Sequence, residues 1–277
     1  MKKILISLIH NNDKDRLSYI RPLIKELELE LQKKYEVESC EFSYQPKPTP
    51  VSTQTALLKD FMYWKLDRDW NTYKKVRNTF IVRSFLSFLK KILLKYLLSK
   101  NSSLEKWKIR CAIEMYITSK HVRAFKYLLE NNYDYLICFE DDTIFETDSI
   151  KKTFELINDL ELKNSKEDLL YVDLAGGCDL SELKYEALKI KTENGLIHYS
   201  KPVTNTVCCY LINRAQITNL DFLLMRNPIL QYLNTDWFIN KIFTLQDNSK
   251  LMHVRTIHTF PPIFKHGSAV GERKVTY

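Results

Sequence analysis

The segment Tyr135-Leu136-Ile137-Cys138-Phe139 is an unbroken apolar run, and it stops at Glu140-Asp141-Asp142. A strand with one face in water alternates apolar and polar residues. A strand covered on both faces does not, and that coverage belongs to parallel sheets flanked by helices. The run therefore implies a buried central strand that delivers three carboxylates to one edge of a sheet. Other segments fit the same layer. Lys3 to Leu8 reads as a buried strand closed by the polar loop His10-Asn11-Asn12-Asp13. Arg16 to Lys34 has helical periodicity through Leu17, Ile20, Leu23, Ile24 and Leu27, and Val37 to Phe42 reads as the next strand. Strand, helix, strand predicts an α/β layer. The alternation continues with a helix from Ile113 to Asn131, a helix at 150–160, a strand at 169–174 and a helix at 181–189. A strand from Val207 to Ile212 follows, then helices from Ala215 to Met225 and from Asp236 to Phe243. The tail from Phe260 on is Pro-rich and reads as loop.

Composition removes several function classes. Only 5 glycines occur in 277 residues, and Gly176-Gly177 is their only pairing. Gly-rich phosphate cradles need several close together, so dinucleotide-binding and P-loop readings start badly. The 6 cysteines form no CxxC pair, which argues against a structural zinc site, and Cys138 and Cys208-Cys209 read as buried thiols. Met1-Lys2-Lys3 leads straight into a strand, so a cytoplasmic, reducing setting is expected. The formal charge of +8 favours polyanionic partners, or reflects a Lys-rich solvated surface.

Gln45-Pro46-Lys47-Pro48-Thr49-Pro50 is a breaker. Residues 52–110 beyond it read as a helical, basic-aromatic insertion, with Phe61, Trp64, Trp70 and Tyr73 among many Lys and Arg. Within it, Phe85 to Leu98 places Ser84, Ser87, Lys91 and Lys95 on one helical face against Leu, Ile and Phe on the other. That pattern fits a helix lying on an anionic membrane. It fits equally a helix packed on the domain with its Lys stems snorkelling.

Three adjacent carboxylates repel one another and resist desolvation. A divalent cation removes the penalty, and Mn²⁺ or Mg²⁺ is commonly held by one or two carboxylates plus substrate phosphates. The carboxyl end of a strand is also where α/β sheets bind ligands. The plainer alternative is a solvated turn whose acids cap the following helix. Phe264-Lys265-His266-Gly267-Ser268 adds a distant His266 that can complete a metal shell, and Lys265 that can neutralise a leaving diphosphate. Taken alone, His266 also reads as a surface histidine.

The stretch from Glu114 through Asp142 resembles glycosyltransferase family 25. Its members carry a Gly-Glu…Cys…Ser-His segment, a helix, then a buried strand ending in Glu-Asp-Asp. Glu114 and His121 fall at matching separations from Phe139-Glu140-Asp141-Asp142. Ile6-Ser7-Leu8 followed by Arg16 is similar to the family's opening, and Asn234-Thr235-Asp236 to its Asp-containing motif. Cys209-Tyr210-Leu211-Ile212-Asn213-Arg214-Ala215 is similar to its later strand and helix. Lys120 departs from the pattern, standing where the family carries Ser, and Ile113 and Ile117 replace its Gly and Cys.

The resemblance implies one GT-A-like catalytic domain over 1–277: a mixed, mostly parallel sheet flanked by helices, with 52–110 inserted. It implies a nucleotide-sugar donor, a UDP-sugar with galactose favoured, and inverting transfer. The acceptor would be a surface glycan or glycolipid: lipooligosaccharide, O-antigen or capsule. Glu140 and Asp142 would grip Mn²⁺ or Mg²⁺ and the donor diphosphate; His266, which is not a standard feature of the family, is the further ligand that the C-terminal loop itself offers. Ser7, Asn11, Asp13, Arg16, His121, Asp141 and Lys265 would lie on the donor side. Asp236 would take the acceptor proton beside a stacking Trp237, or else cap its helix. His121 and Glu114 have an equal alternative, supporting the sheet from behind. The insertion would face an anionic inner-membrane surface. Two other classes remain. A metal-dependent phosphohydrolase also uses clustered acids, but usually with two metals and more His than the 6 present. A non-catalytic basic module binding glycan or nucleic acid would use the aromatic-basic region, although no nucleic-acid motif is visible and no nucleic-acid partner is expected.

Overall fold

The computed structural model describes residues 1–43, 103–163, 168–176, 189–199, 207–227 and 254–267, together with Leu230, 233–236, Phe238, Ile239 and Ile242. The insertion up to residue 102, the 181–188 part of the expected helix, Trp237 and the Glu114 side chain lie outside the described residues.

The described residues form a mixed sheet of eight strands. In chain order these are β1 (Lys3–His10), β2 (Glu36–Ser43), β3 (Tyr135–Glu140), β5 (Leu169–Asp173), β6 (Lys189–Glu193), β7 (Leu196–Tyr199), β8 (Cys209–Asn213) and β9 (Val254–Thr259). A separate hairpin-like pair joins β4 (Thr143–Phe145) to β10 (Phe264–His266). The sheet order is β2-β1-β3-β8-β5-β9-β7-β6. Six strands run one way; β8 and β7 are reversed. The expectation of a mostly parallel, mixed α/β sheet holds at this level.

Among the described residues four helices flank it: α1 (Lys14–Leu31), α2 (Ser103–Glu130), α3 (Ser149–Lys163) and α4 (Arg214–Arg226). The period-2 alternation of each strand divides the core between two faces. Ile4, Ile6, Leu8, Ile137 and Phe139 meet Leu17, Ile20, Ile24 and Leu27 of α1 and Ile157 and Leu160 of α3. Leu5, Ile9, Leu136 and Cys138 meet Val122, Phe125 and Leu128 of α2 and Ile217, Leu220 and Leu224 of α4. Each fully buried aliphatic side chain stabilises by ~1.5–3 kcal/mol relative to exposure, so both faces matter.

Helix starts follow their caps. Asp13 accepts from the backbone N–H groups of Asp15 and Arg16, and the Asn213 side chain accepts from Gln216 N–H. Several boundaries differ from the sequence reading. β1 extends to His10, so His10 is a strand residue rather than a loop residue. α2 begins ten residues before Ile113. Lys189, expected to end a helix, opens β6. The β6–β7 hairpin turns at Asn194-Gly195, both at positive φ (50° and 72°), the combination that two-residue hairpins favour. The tail from Phe260 is not all loop, because β10 pairs with β4; just before it, β9 enters the sheet, a strand the sequence reading did not name. Among the described residues, no helix is long and apolar enough to cross a membrane.

Candidate functional site

β3 ends at the same edge of the sheet as β1, and the reversed β8 begins there: Phe139 pairs with Cys209, and Glu140 N–H donates to the Cys208 carbonyl at 2.8 Å. The three acids leave this point in three directions. Glu140 shares the face of Leu136 and Cys138, toward α2. Its Oε1 lies 3.1 Å from His121 Nε2. Asp141 follows Phe139 to the opposite face, toward α1. Its Oδ1 accepts from Arg16 Nη1 at 2.9 Å, and its Oδ2 accepts from the Asn11 backbone N–H at 3.1 Å. Asp142 lies past the strand end, in the turn into β4. Its Oδ2 is 3.5 Å from His266 Nδ1 and its Oδ1 accepts from Cys208 Sγ at 3.6 Å.

His121 is fully buried and oriented from both ring nitrogens. Nδ1 lies 2.9 Å from the Tyr210 hydroxyl and 3.3 Å from Cys138 Sγ. With Glu140 ionised, Nε2–H donates to the carboxylate and Nδ1 accepts from Tyr210. Glu140 keeps 21% of its side-chain surface in solvent. Burial, then the negative charges of Asp142, Asp236 and Asp141, push its carboxyl well above the ordinary carboxylate value, against the pull of Lys120. Ionising Glu140 in this setting is therefore costly, and a nearby cation would lower that cost.

Lys120 is 1% exposed. Its ammonium donates to the His10 carbonyl at 2.7 Å and to Asn11 Oδ1, so it fastens the end of β1 to α2. Burial pushes it down to about 8, only partly offset by the charges of Asp141 and Glu140. Arg16 is raised: burial acts against its charge, but the bond to Asp141 and the charges of Asp141, Asp142 and Asp13 outweigh that.

β10 brings His266 to the cluster. Phe264 packs against Phe139 and Phe145 with ring centroids 5.2 and 4.8 Å apart. His266 lies on the same side of the strand as Phe264, and Gly267 N–H donates to the Asp142 carbonyl at 2.9 Å. Ligand atoms of Asp142, Cys208 and His266 all lie within 4.8 Å of one another. Thr143 braces this group, its Oγ1 donating to the Glu140 carbonyl at 2.8 Å and lying 3.2 Å from Cys208 Sγ.

Of the residues singled out from the sequence, the fold brings together Glu140, Asp141, Asp142, His121, Arg16, Asn11 and His266. Asp236 joins them electrostatically through Glu140, while its Oδ1 accepts from Val207 N–H. Asp13 caps α1. Two residues stand apart. Ser7 is enclosed between Cys40 and Cys138 in the sheet, three residues short of its edge, because β1 runs on to His10. Lys265 points to the other side of β10 and pairs with Glu146 at the surface. Glu140 is not part of the compact ligand group; its oxygen is turned to His121. The sequence reading missed Cys208, Thr143, Tyr210 and Lys120 as site residues. It also missed a second acid–imidazole pair on the same edge, Asp173 and His258 at the ends of β5 and β9, with Oδ2 and Nδ1 3.9 Å apart.

The fold and site define a three-layer α/β protein with an acidic, histidine-bearing cluster at the carboxyl edge of its sheet. No protein-family model and no curated protein matches the chain.

Proposed function

We propose that the chain is a metal-dependent glycosyltransferase of GT-A-like fold, transferring a sugar from a nucleotide-sugar donor, with UDP-galactose favoured, to a glycan or glycolipid acceptor with inversion. The observation that carries the reading is the meeting of Asp142 with His266 at the end of β3. A carboxylate and an imidazole, drawn from distant parts of the chain, face each other where α/β sheets bind ligands.

Asp142 and His266 would hold the ion, which supplies charge stabilisation for the leaving diphosphate. Glu140, oriented by His121, adds a carboxylate beside it. Asp141 does not serve as a ligand; it locks the β1–α1 loop through Arg16 and Asn11 N–H, and so shapes the donor side. Asp236 would accept the proton of the acceptor hydroxyl, which inversion requires. The net charge of +8 fits phosphorylated donors and an acceptor at an anionic membrane surface.

Thermal unfolding in a grid of nucleoside diphosphates against Mn²⁺, Mg²⁺ and Zn²⁺ tests this. A shift that needs both UDP and an ion, and that disappears in Asp142→Asn, is the expected result. No shift with any nucleotide and ion pair would reject the proposal.

A further inference from the structure

We infer that Cys208 is a third protein ligand at the Asp142–His266 centre, and that the site therefore selects a borderline-soft divalent ion, zinc ahead of magnesium. The inference rests on the metal part of the proposed function and sharpens it by naming the ligand and the ion class.

Geometry is the first support. Tetrahedral zinc with ligand bonds of about 2.0–2.1 Å to O and N and about 2.3 Å to S requires an O···N separation of about 3.3 Å and an O···S separation of about 3.5 Å. Asp142 reaches both partners through its two oxygens, Oδ2 lying 3.5 Å from His266 Nδ1 and Oδ1 3.6 Å from Cys208 Sγ. All three ligand atoms lie within 4.8 Å of one another. An ion seated among them draws the imidazole and the sulfur toward one carboxylate oxygen.

Donor chemistry is the second support. Magnesium demands oxygen ligands in octahedral array. A thiolate, an imidazole and a carboxylate are a set that suits zinc. Among the described residues no fourth His, Cys, Asp or Glu joins the group. Three protein ligands leave one tetrahedral position for a non-protein oxygen, the arrangement of reactive rather than purely structural zinc. On binding, the Cys208 thiol gives its proton to solvent and the sulfur lone pair goes to the metal.

The surroundings fix each ligand. Cys208 sits where β8 begins, its carbonyl bonded to Glu140 N–H and its sulfur 3.2 Å from Thr143 Oγ1. His266 is carried on β10 by the Phe139–Phe145–Phe264 cluster, and Asp142 is tied to Gly267. The turn after β3, the residue before β8 and the end of β10 thus deliver one ligand each to a single point.

Cobalt(II) titration of the metal-stripped full chain tests the assignment by a readout independent of catalysis. A thiolate-to-cobalt charge-transfer band in the near ultraviolet is expected, saturating at one equivalent, displaced by zinc and resistant to excess magnesium. Cys208→Ser should abolish the band while Cys209→Ser keeps it. Asp142→Asn and His266→Asn should each weaken cobalt binding at least about tenfold. Far-ultraviolet circular dichroism confirms that each variant is folded, and Cys208→Ala provides a second test of the sulfur. A cobalt complex without the band, or a band that survives in Cys208→Ser, overturns the inference. If the band appears but no nucleotide sugar is turned over, the ion site stands and sugar transfer falls. If turnover with magnesium persists in Cys208→Ser and wild type shows no band, transfer stands and the thiolate ligand falls.

Discussion

Replacing Asp141 by alanine should cost stability, whereas the neighbouring Asp142 should matter for ligand binding. The Asp141 side chain keeps 7% exposure and its partner Arg16 13%. Its two oxygens take Arg16 Nη1 at 2.9 Å and Asn11 N–H at 3.1 Å. Removing one partner of a buried pair costs about 3–5 kcal/mol, and losing a backbone bond about 1 kcal/mol. Arg16 also feels Asp142 and Asp13, which softens the loss. The net should be about 3 kcal/mol, or a fall of about 6–12 °C in melting temperature. Urea unfolding measures it as a lower midpoint at unchanged slope. Because the pair is sheltered, the loss should persist in high salt. The exposed pair Lys151–Glu155, at 78% and 60% exposure, is the control; breaking it should cost only a few tenths, about 0.3–0.5 kcal/mol. If Asp141→Ala changes stability by no more than that control, the latch between β3 and the β1–α1 loop is wrong.

Three further outcomes follow from the same geometry. Lys120 is lowered to about 8 in the fold, so the unfolded chain binds its proton more tightly between that value and the usual lysine range. Its contribution is therefore unfavourable below pH 8 and relieved as pH rises toward 10; relative to Lys120→Met, wild type should gain up to about 3 kcal/mol across that window in urea titrations at several pH values. Gly195→Ala should cost about 1–2 kcal/mol, because φ is +72° and the new Cβ would meet the Phe260 carbonyl at 3.2 Å; hydrogen exchange should show the β6–β7 hairpin loosened, and full protection there would contradict the account. Phe264→Leu should cost about 1–2 kcal/mol in packing yet weaken cobalt binding more than an equally destabilising change on the α2 face, such as Phe125→Leu; equal effects would mean that the aromatic cluster does not position His266.

The alternation of buried runs and amphipathic helices placed β1, α1, β2, β3, α3, β5, β8 and α4 to within a few residues. Those segments bury whole faces, so their pattern is strong. The missed strands are those whose partners decide their state. β10 is three residues long and forms only because Phe264 fits against Phe139 and Phe145. β6 and β7 carried a readable signal, Asn194-Gly195, which was obscured by the Lys-rich sequence around it. The acids themselves were visible, and so was the means of separating them: period-2 alternation sends Glu140 and Asp141 to opposite helices. Their partners were less visible. Cys208 looked like another core thiol because nothing local distinguishes it from Cys209; only the antiparallel register of β8 against β3 sets its sulfur beside Asp142. Lys120 carried no readable signal of its own, and the fold gives it a role by closing the end of β1 over it.

Release of nucleoside diphosphate from a panel of nucleotide sugars, measured with each divalent ion in wild type and in Asp142→Asn, tests the central proposal most directly. Turnover of one sugar nucleotide that depends on the ion and is lost in a folded Asp142→Asn is the predicted result. Turnover unchanged in Asp142→Asn, or no turnover of any donor with any ion, would contradict it.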